Sequence, residues 1–152
     1  MTVVGMGNPE MGDDGIGVIL AQNLRGQVER GTWSARPDIL VAARDPVLVG
    51  ACLAEGARVL LVDAVDMKGE PGDCRMFSPA EADFTARPSA STHTLSLGGV
   101  IELARGLGCA DRLRIMGVQL GDAGPGRSLS PRVREKIPQM LERIKEEVER
   151  TP

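Results

Sequence analysis

The chain has 152 residues, 42% hydrophobic and 26% charged, which fits one globular domain spanning residues 1–152. A net charge of −3 and an aromatic content of 2% exclude the basic patch and the stacking surface of a nucleic-acid-binding protein. The three cysteines, Cys52, Cys74 and Cys109, form no C-x-x-C pair, which argues against a disulfide framework or a zinc site and favours the reducing cytoplasm. No export signal or membrane span is predicted, because the chain has no run of about 18 apolar residues.

The first half of the chain alternates between strand and helix patterns. Thr2–Met6 is short, β-branched and bounded by glycine, which predicts a buried strand. Apolar residues then recur at helical spacing from Ile16 to Leu24, and Gly26 is the predicted end of this helix. The further predictions are a short strand at 32–35, a helix at 46–54, an apolar strand at 57–65, a turn at 68–72 and a short strand at 73–77.

The second half continues this alternation. An amphipathic helix beginning near residue 95 carries Leu97 on its apolar stripe and ends at Gly108. Ser130 and Pro131 predict the N-cap and first turn of a closing helix, which Pro138 should kink or restart. Loops are also predicted at residues 80–92 and 121–127, and a buried strand is predicted at residues 112–119. Together these elements predict an α/β fold, a three-layer sandwich with a mainly parallel twisted sheet flanked by helices.

Carboxylates occupy the place where a glycine-rich turn after a first strand usually binds phosphate. Asp13 and Asp14 would repel a pyrophosphate there and suit a cation. Asp63 interrupts an apolar strand near its carboxyl end, where ligands of open α/β sheets bind. His93, the sole histidine, lies in a loop leading into a helix and is predicted to reach the same rim. Such an oxygen and nitrogen set suits a first-row divalent metal, and imidazole is compatible with nickel.

Each of these residues has a purely structural alternative. Asp13 and Asp14 could stabilise the first turn of a helix, and Asp63 could accept backbone N–H groups of the following turn. His93 could be an ordinary loop residue near a helix cap. No H-E-x-x-H, G-x-S-x-G or P-loop lysine offers a competing catalytic motif.

Four ordered blocks resemble those of the hydrogenase maturation proteases, over about residues 3 to 148. The blocks are Gly-Met-Gly-Asn-Pro-Glu-Met-Gly-Asp-Asp-Gly-Ile-Gly at 5–17, Leu-Val-Asp-Ala-Val-Asp at 61–66 with Glu-Pro-Gly at 70–72, Ser-Thr-His at 91–93, and Gly-Val-Gln at 117–119 with Leu-Ser-Pro at 129–131. The Met-Gly-Asp-Asp-Gly and Val-Asp-Ala-Val-Asp-Met segments are most similar to the branch that serves formate-hydrogenlyase-type hydrogenase 3.

This resemblance implies an endopeptidase that removes the C-terminal extension of a nickel–iron hydrogenase large-subunit precursor after nickel insertion. The family's metal-contacting residues fall on Asp14, Asp63 and His93, so Asp14 rather than Asp13 is the expected acid. Nickel would be carried by the precursor, and no tightly bound cofactor is expected. Either nickel polarises a carbonyl or water, or an acid serves as general base while nickel is only recognised. No D-[TS]-G motif marks a pepsin-like dyad. A cytoplasmic monomer is expected.

Two other functions remain open from the sequence. The same site could belong to a non-proteolytic nickel-checkpoint chaperone that binds the precursor. A nucleotide-binding module would use Gly5, Gly7 and Gly12, but Glu10 occupies the last glycine position of G-x-G-x-x-G. The glycines are expected to allow a tight turn and leave room for an incoming peptide. Residues 34–38 lack the paired glycines of the Asp-Gly-Gly-Thr-like turn that many family members carry after the second strand, which puts partner specificity in doubt.

Overall fold

A central β-sheet organises the protein, and a computed structural model describes residues 1–82 and 97–150. The strands in these residues are β1 (Thr2–Met6), β2 (Asp38–Ala43), β3 (Val59–Val65), β4 (Cys74–Phe77) and β5 (Leu113–Gln119). The α-helices are α1 (Ile16–Glu29), α2 (Pro46–Ala54), α3 (Leu97–Gly106), α4 (Pro131–Glu135) and α5 (Ile137–Arg150). Gly12–Gly15 forms one turn of 3-10 helix, called the acid turn here because it contains Asp13 and Asp14.

The strand order is β2-β1-β3-β5-β4, and every neighbouring pair is parallel except β4 with β5. The carboxyl ends of β1, β2, β3 and β5 therefore share one edge, called the carboxyl rim below. The predicted fold is confirmed, with an antiparallel strand at one edge of an otherwise parallel sheet.

Helices cover both faces of the sheet and give it three layers. On one face, Leu60 and Val62 of β3 belong to a hydrophobic cluster with residues of α1 and α5. On the other face, Val59 and Leu61 belong to a second cluster with residues of α2 and α3. Because successive side chains of a strand point to opposite faces, the continuous apolar run of β3 supplies both clusters. In the described residues no helix is both long and apolar enough to cross a membrane.

The second strand was placed wrongly by its sequence pattern. Residues 32–35 are not a strand; β2 begins after Pro37, which has no N–H for a sheet ladder. Trp33 is buried, and its Nε1 donates a hydrogen bond to Glu149 of α5 at 2.9 Å, so this segment packs against a helix. Residues 34–38 consequently lie before β2 or at its start, at the end opposite the carboxyl rim. The turn that follows β2 is Arg44-Asp45, which also lacks paired glycines.

The other helix boundaries depend on capping chemistry. Helix α1 continues through Gly26 to Glu29 and ends before Gly31, whose φ of 68° is the left-handed conformation that commonly follows a helix. Asp45 caps α2 by accepting a hydrogen bond from the Val47 backbone N–H at 2.9 Å. The closing helix stops after α4 and restarts as α5 at Ile137, which confirms the effect predicted for Pro138.

Candidate active site at the carboxyl rim

Two of the predicted site residues, Asp14 and Asp63, lie together at the carboxyl rim. The acid turn follows β1, and Asp63 is the fifth residue of β3, the strand beside β1. The register pairs Gly5 with Val62, so Asp63 lies one residue beyond the last pair of these two strands. His93, the third predicted residue, lies outside the described residues. The described residues contain no group of three or more His, Cys, Asp or Glu placed to hold a metal.

The carboxyl group of Asp63 is held in an environment that favours its protonated form. Burial, followed by the negative charge of Asp14, raises the pKa of Asp63 to about 7, against the opposing effect of a hydrogen bond from the Ala64 backbone N–H. That bond, to Oδ1, measures 2.9 Å. Asp14 accepts one hydrogen bond at Oδ2, from the Asn8 backbone N–H at 3.1 Å. Among the described residues, no lysine or arginine forms an ion pair with either carboxylate.

Asp13, the neighbouring acid, has the opposite environment. Its side chain is fully buried and accepts four hydrogen bonds from the segment that follows β5. Burial by itself would raise the pKa of Asp13, but the bonds from Asp122, Ser130 and Gly121 together lower it. The carboxylate oxygens of Asp13 are therefore already occupied by the protein. Asp14 is the acid of the turn whose side chain accepts a single hydrogen bond within the described residues, and its role as the metal-contacting acid stays a prediction.

The glycines around the turn serve the protein's own packing. A Cβ atom on Gly17 would collide with the carbonyl oxygens of Met6 and Val62, and one on Gly5 would collide with the backbone of Gly17. Gly17 therefore lets the start of α1 lie directly against β1 and β3. The prediction that these glycines leave room for an incoming peptide is wrong for Gly5 and Gly17, because backbone of the same chain fills that space.

Gln119, at the end of β5, is a buried polar residue whose role the sequence did not indicate. Its Oε1 accepts hydrogen bonds from the Met67 and Gly69 backbone N–H groups at 2.6 and 3.1 Å. Its Nε2 donates to the Leu120 carbonyl oxygen at 2.9 Å and to Asp66 Oδ1 at 3.3 Å. Gln119 thus shapes the loop between β3 and β4. The same signal that singled out Asp63, a polar residue at the end of an apolar strand, could have found it.

The structure defines an open α/β protein with an acid pair at the carboxyl rim. The family model described as HycI, hydrogenase maturation protease, matches residues 46–147, more than half of the chain. The chain belongs to the hydrogenase maturation protease family. The matched range contains Asp63 and His93 and begins after Asp14.

Individual relatives agree with this assignment. The chain is 32% identical over 103 residues to the hydrogenase 3 maturation protease of Escherichia coli K12, a match that covers 64% of this chain and 59% of that protein. The crystal structure of a [NiFe] hydrogenase maturation protease HycI from Thermococcus kodakarensis superimposes with a TM-score of 0.70 at 26% identity, covering 95% of this chain and 89% of the other. The maturating endopeptidase HybD of E. coli shares the fold, with a TM-score of 0.66 at 22% identity, covering 94% and 88% of the two chains.

Proposed function

We propose that this protein is an endopeptidase that removes the C-terminal extension of a nickel–iron hydrogenase large-subunit precursor once nickel has been inserted. The observation that carries the proposal is the acid pair of Asp14 and Asp63, which has no ion-pair partner among the described residues. The family membership and the names of the relatives, which are maturation proteases, support the peptidase activity.

The acid pair suits a cation that arrives with the substrate. Two carboxylates that face each other without a lysine or arginine repel one another, and a divalent ion placed between them would relieve that repulsion. In this proposal Asp14, Asp63 and His93 contact nickel that the precursor already holds. Nickel is thus part of the substrate, and its presence would distinguish a mature metal centre from an empty one.

The raised pKa of Asp63 also fits a role in proton transfer. A group with a pKa of about 7 exchanges a proton readily at neutral pH, which is what a general base requires. In this route Asp63 takes a proton from water as the water oxygen attacks the scissile carbonyl carbon. The C–N bond then breaks, and the proton passes to the leaving amine. In the second route nickel polarises the carbonyl or the water, and Asp63 acts mainly as a contact to the metal.

Intact-mass spectrometry of the precursor tests the proposal. We expect the wild-type protein to shorten a nickel-loaded large-subunit precursor and to leave the nickel-free precursor unchanged. The Asp63→Asn variant should remain folded and fail to cleave. Asp111→Asn is the matched control, because Asp111 is exposed in a 3-10 turn immediately before β5, at the opposite end of the sheet. Normal cleavage by Asp63→Asn would contradict the assigned role, and binding without any mass change would identify a non-proteolytic checkpoint.

We further propose that the protein acts as a monomer in the cytoplasm. Its three cysteines are all free, which supports a reducing compartment.

A further inference from the structure

The segment from Gly121 to Ser130 is exposed over most of its length and yet tightly held. Residues 121–128 contain three glycines and a proline, and all of them except the half-buried Gly124 are exposed. Leu129 is the one member of this segment that belongs to the hydrophobic core. A glycine-rich surface segment loses much conformational entropy when it is ordered, and core packing offsets little of that loss here. Its order must come from polar contacts.

Those polar contacts converge on the carboxylate of Asp13. Oδ2 accepts hydrogen bonds from the backbone N–H groups of Gly121 and Asp122, both at 2.8 Å. Ser130 donates twice, from its backbone N–H to Oδ1 at 2.7 Å and from its hydroxyl to Oδ2 at 2.8 Å. Bonds to an ionised carboxylate are stronger than bonds between neutral groups, and this carboxylate is fully buried. Both ends of the segment are thus fastened to one side chain.

Backbone hydrogen bonds extend the same attachment. The Asp13 N–H donates to the Asp122 carbonyl at 2.9 Å, and the Gly12 N–H donates to the Arg127 carbonyl at 3.1 Å. In the other direction, the Gly126 N–H donates to the Glu10 carbonyl at 2.9 Å. The segment therefore lies along residues 10–13 of the acid turn and its approach, immediately beside Asp14.

We propose that Asp13 is a positioning residue that holds residues 121–130 as a fixed docking edge for the polypeptide substrate, next to the acid pair. The inference deepens the proposed function and rests on it, because the docked polypeptide is the precursor. The four hydrogen bonds that Asp13 accepts from this segment are called the Asp13 clamp below. A pre-ordered edge avoids the entropy cost of ordering the segment on binding, so loss of the clamp should lower the affinity for the precursor. Asp13 itself touches neither the substrate nor its metal.

Two measurements on the Asp13→Asn variant test this role. Asparagine keeps the size of the side chain but replaces one acceptor oxygen with an NH₂ group that faces the donors. We expect amide hydrogen exchange at Gly121, Asp122 and Ser130 to accelerate about tenfold or more. The KM for the nickel-loaded precursor should rise about tenfold, while kcat stays within about a factor of two. Asp111→Asn serves again as the control and should change neither quantity.

A second variant keeps the test decisive if Asp13→Asn fails to fold. Ser130→Ala removes only the hydroxyl bond to Oδ2, so we expect the same changes at about a third of the size. Unchanged exchange in the segment would overturn the clamp. Faster exchange with a lower kcat and an unchanged KM would overturn the docking role. If the wild-type protein does not cleave the precursor at all, the proposed function fails, and the clamp is then judged on exchange and on precursor affinity measured by direct binding.

Discussion

Asp13 and Asp14 are neighbours in one turn, yet their carboxylates belong to two opposite kinds of environment. Asp13 is fully buried and surrounded by hydrogen-bond donors, which lower its pKa. Asp14 lies at the same rim as Asp63, and burial together with the Asp14 charge raises the pKa of Asp63 to about 7. One environment supplies four hydrogen bonds to a single carboxylate, and the other has more negative charge than the described protein neutralises. The first stabilises the fold, and the second is held at a cost to stability.

Within one turn, Asp13 therefore stabilises the fold, and Asp14 belongs to the candidate active site. A satisfied buried carboxylate gains nothing from a ligand, whereas an uncompensated acid pair gains much from a cation. The four predictions below test the two environments against each other. Each uses a substitution that changes one environment and leaves the other intact.

The largest effect is expected for Asp14→Asn. Removing this carboxylate takes away a proposed contact to the substrate's nickel, so cleavage of the nickel-loaded precursor should fall about a thousandfold. It also removes the charge that contributes to the raised pKa of Asp63, so that pKa should move down toward its ordinary value. Precursor mass spectrometry and NMR titration of the Asp63 side-chain carboxyl measure the two changes. An Asp63 titration that is the same in both proteins would contradict the pairing.

Asp13→Ala should destabilise the fold more than any substitution in the acid pair. It leaves the N–H groups of Gly121, Asp122 and Ser130 without their acceptor, and we expect a loss of about 3 kcal/mol in the free energy of unfolding. Urea denaturation at pH 7 measures it. Because the pKa of Asp13 is lowered in the folded state, its contribution is present above the unfolded value near 3.8 and is lost as the pH falls through the folded value. The difference in stability between the wild type and Asp13→Ala should therefore shrink in strongly acidic solution.

Asp63→Asn should have the opposite effect on stability and increase the free energy of unfolding at pH 8. The folded pKa of about 7 lies above the unfolded value of 3.8, so the folded state holds a proton that the unfolded state releases between these values. Wild-type stability therefore declines as the pH rises through this window. A neutral amide avoids the decline and should add about 1–2 kcal/mol at pH 8, with no gain at pH 4. Urea titrations at both pH values decide, and a variant less stable than wild type at pH 8 would refute the expectation.

Ser130→Ala should give the smallest change. The hydroxyl supplies one of the four hydrogen bonds to Asp13, and the other three donors are backbone groups that the substitution leaves in place. We expect a loss of about 1 kcal/mol in the free energy of unfolding. The pKa of Asp63 should not move, since Ser130 contacts the other environment. A shift of that pKa would show that the two environments are coupled.

Sequence patterning located most elements because their signals are local. The helical spacing from Ile16 to Leu24, the apolar run before Asp63 and the proline at 138 each produced the predicted element. The prediction of the second strand was wrong for a physical reason. Residues 32–35 resemble a strand by composition, but Trp33 is held by Glu149, which lies 116 positions away.

The candidate site divides in the same way. The sequence by itself determined that Asp14 follows a strand and that Asp63 lies near the carboxyl end of one, and parallel strands bring such positions to one rim. Only the tertiary structure decided which groups surround each acid there, because those groups are distant along the chain. Asp13 is bonded to groups 108 to 117 positions away, and Gln119 is bonded to the loop that follows β3. A carboxylate's role depends on the donors and charges that surround it, and folding alone assembles those neighbours.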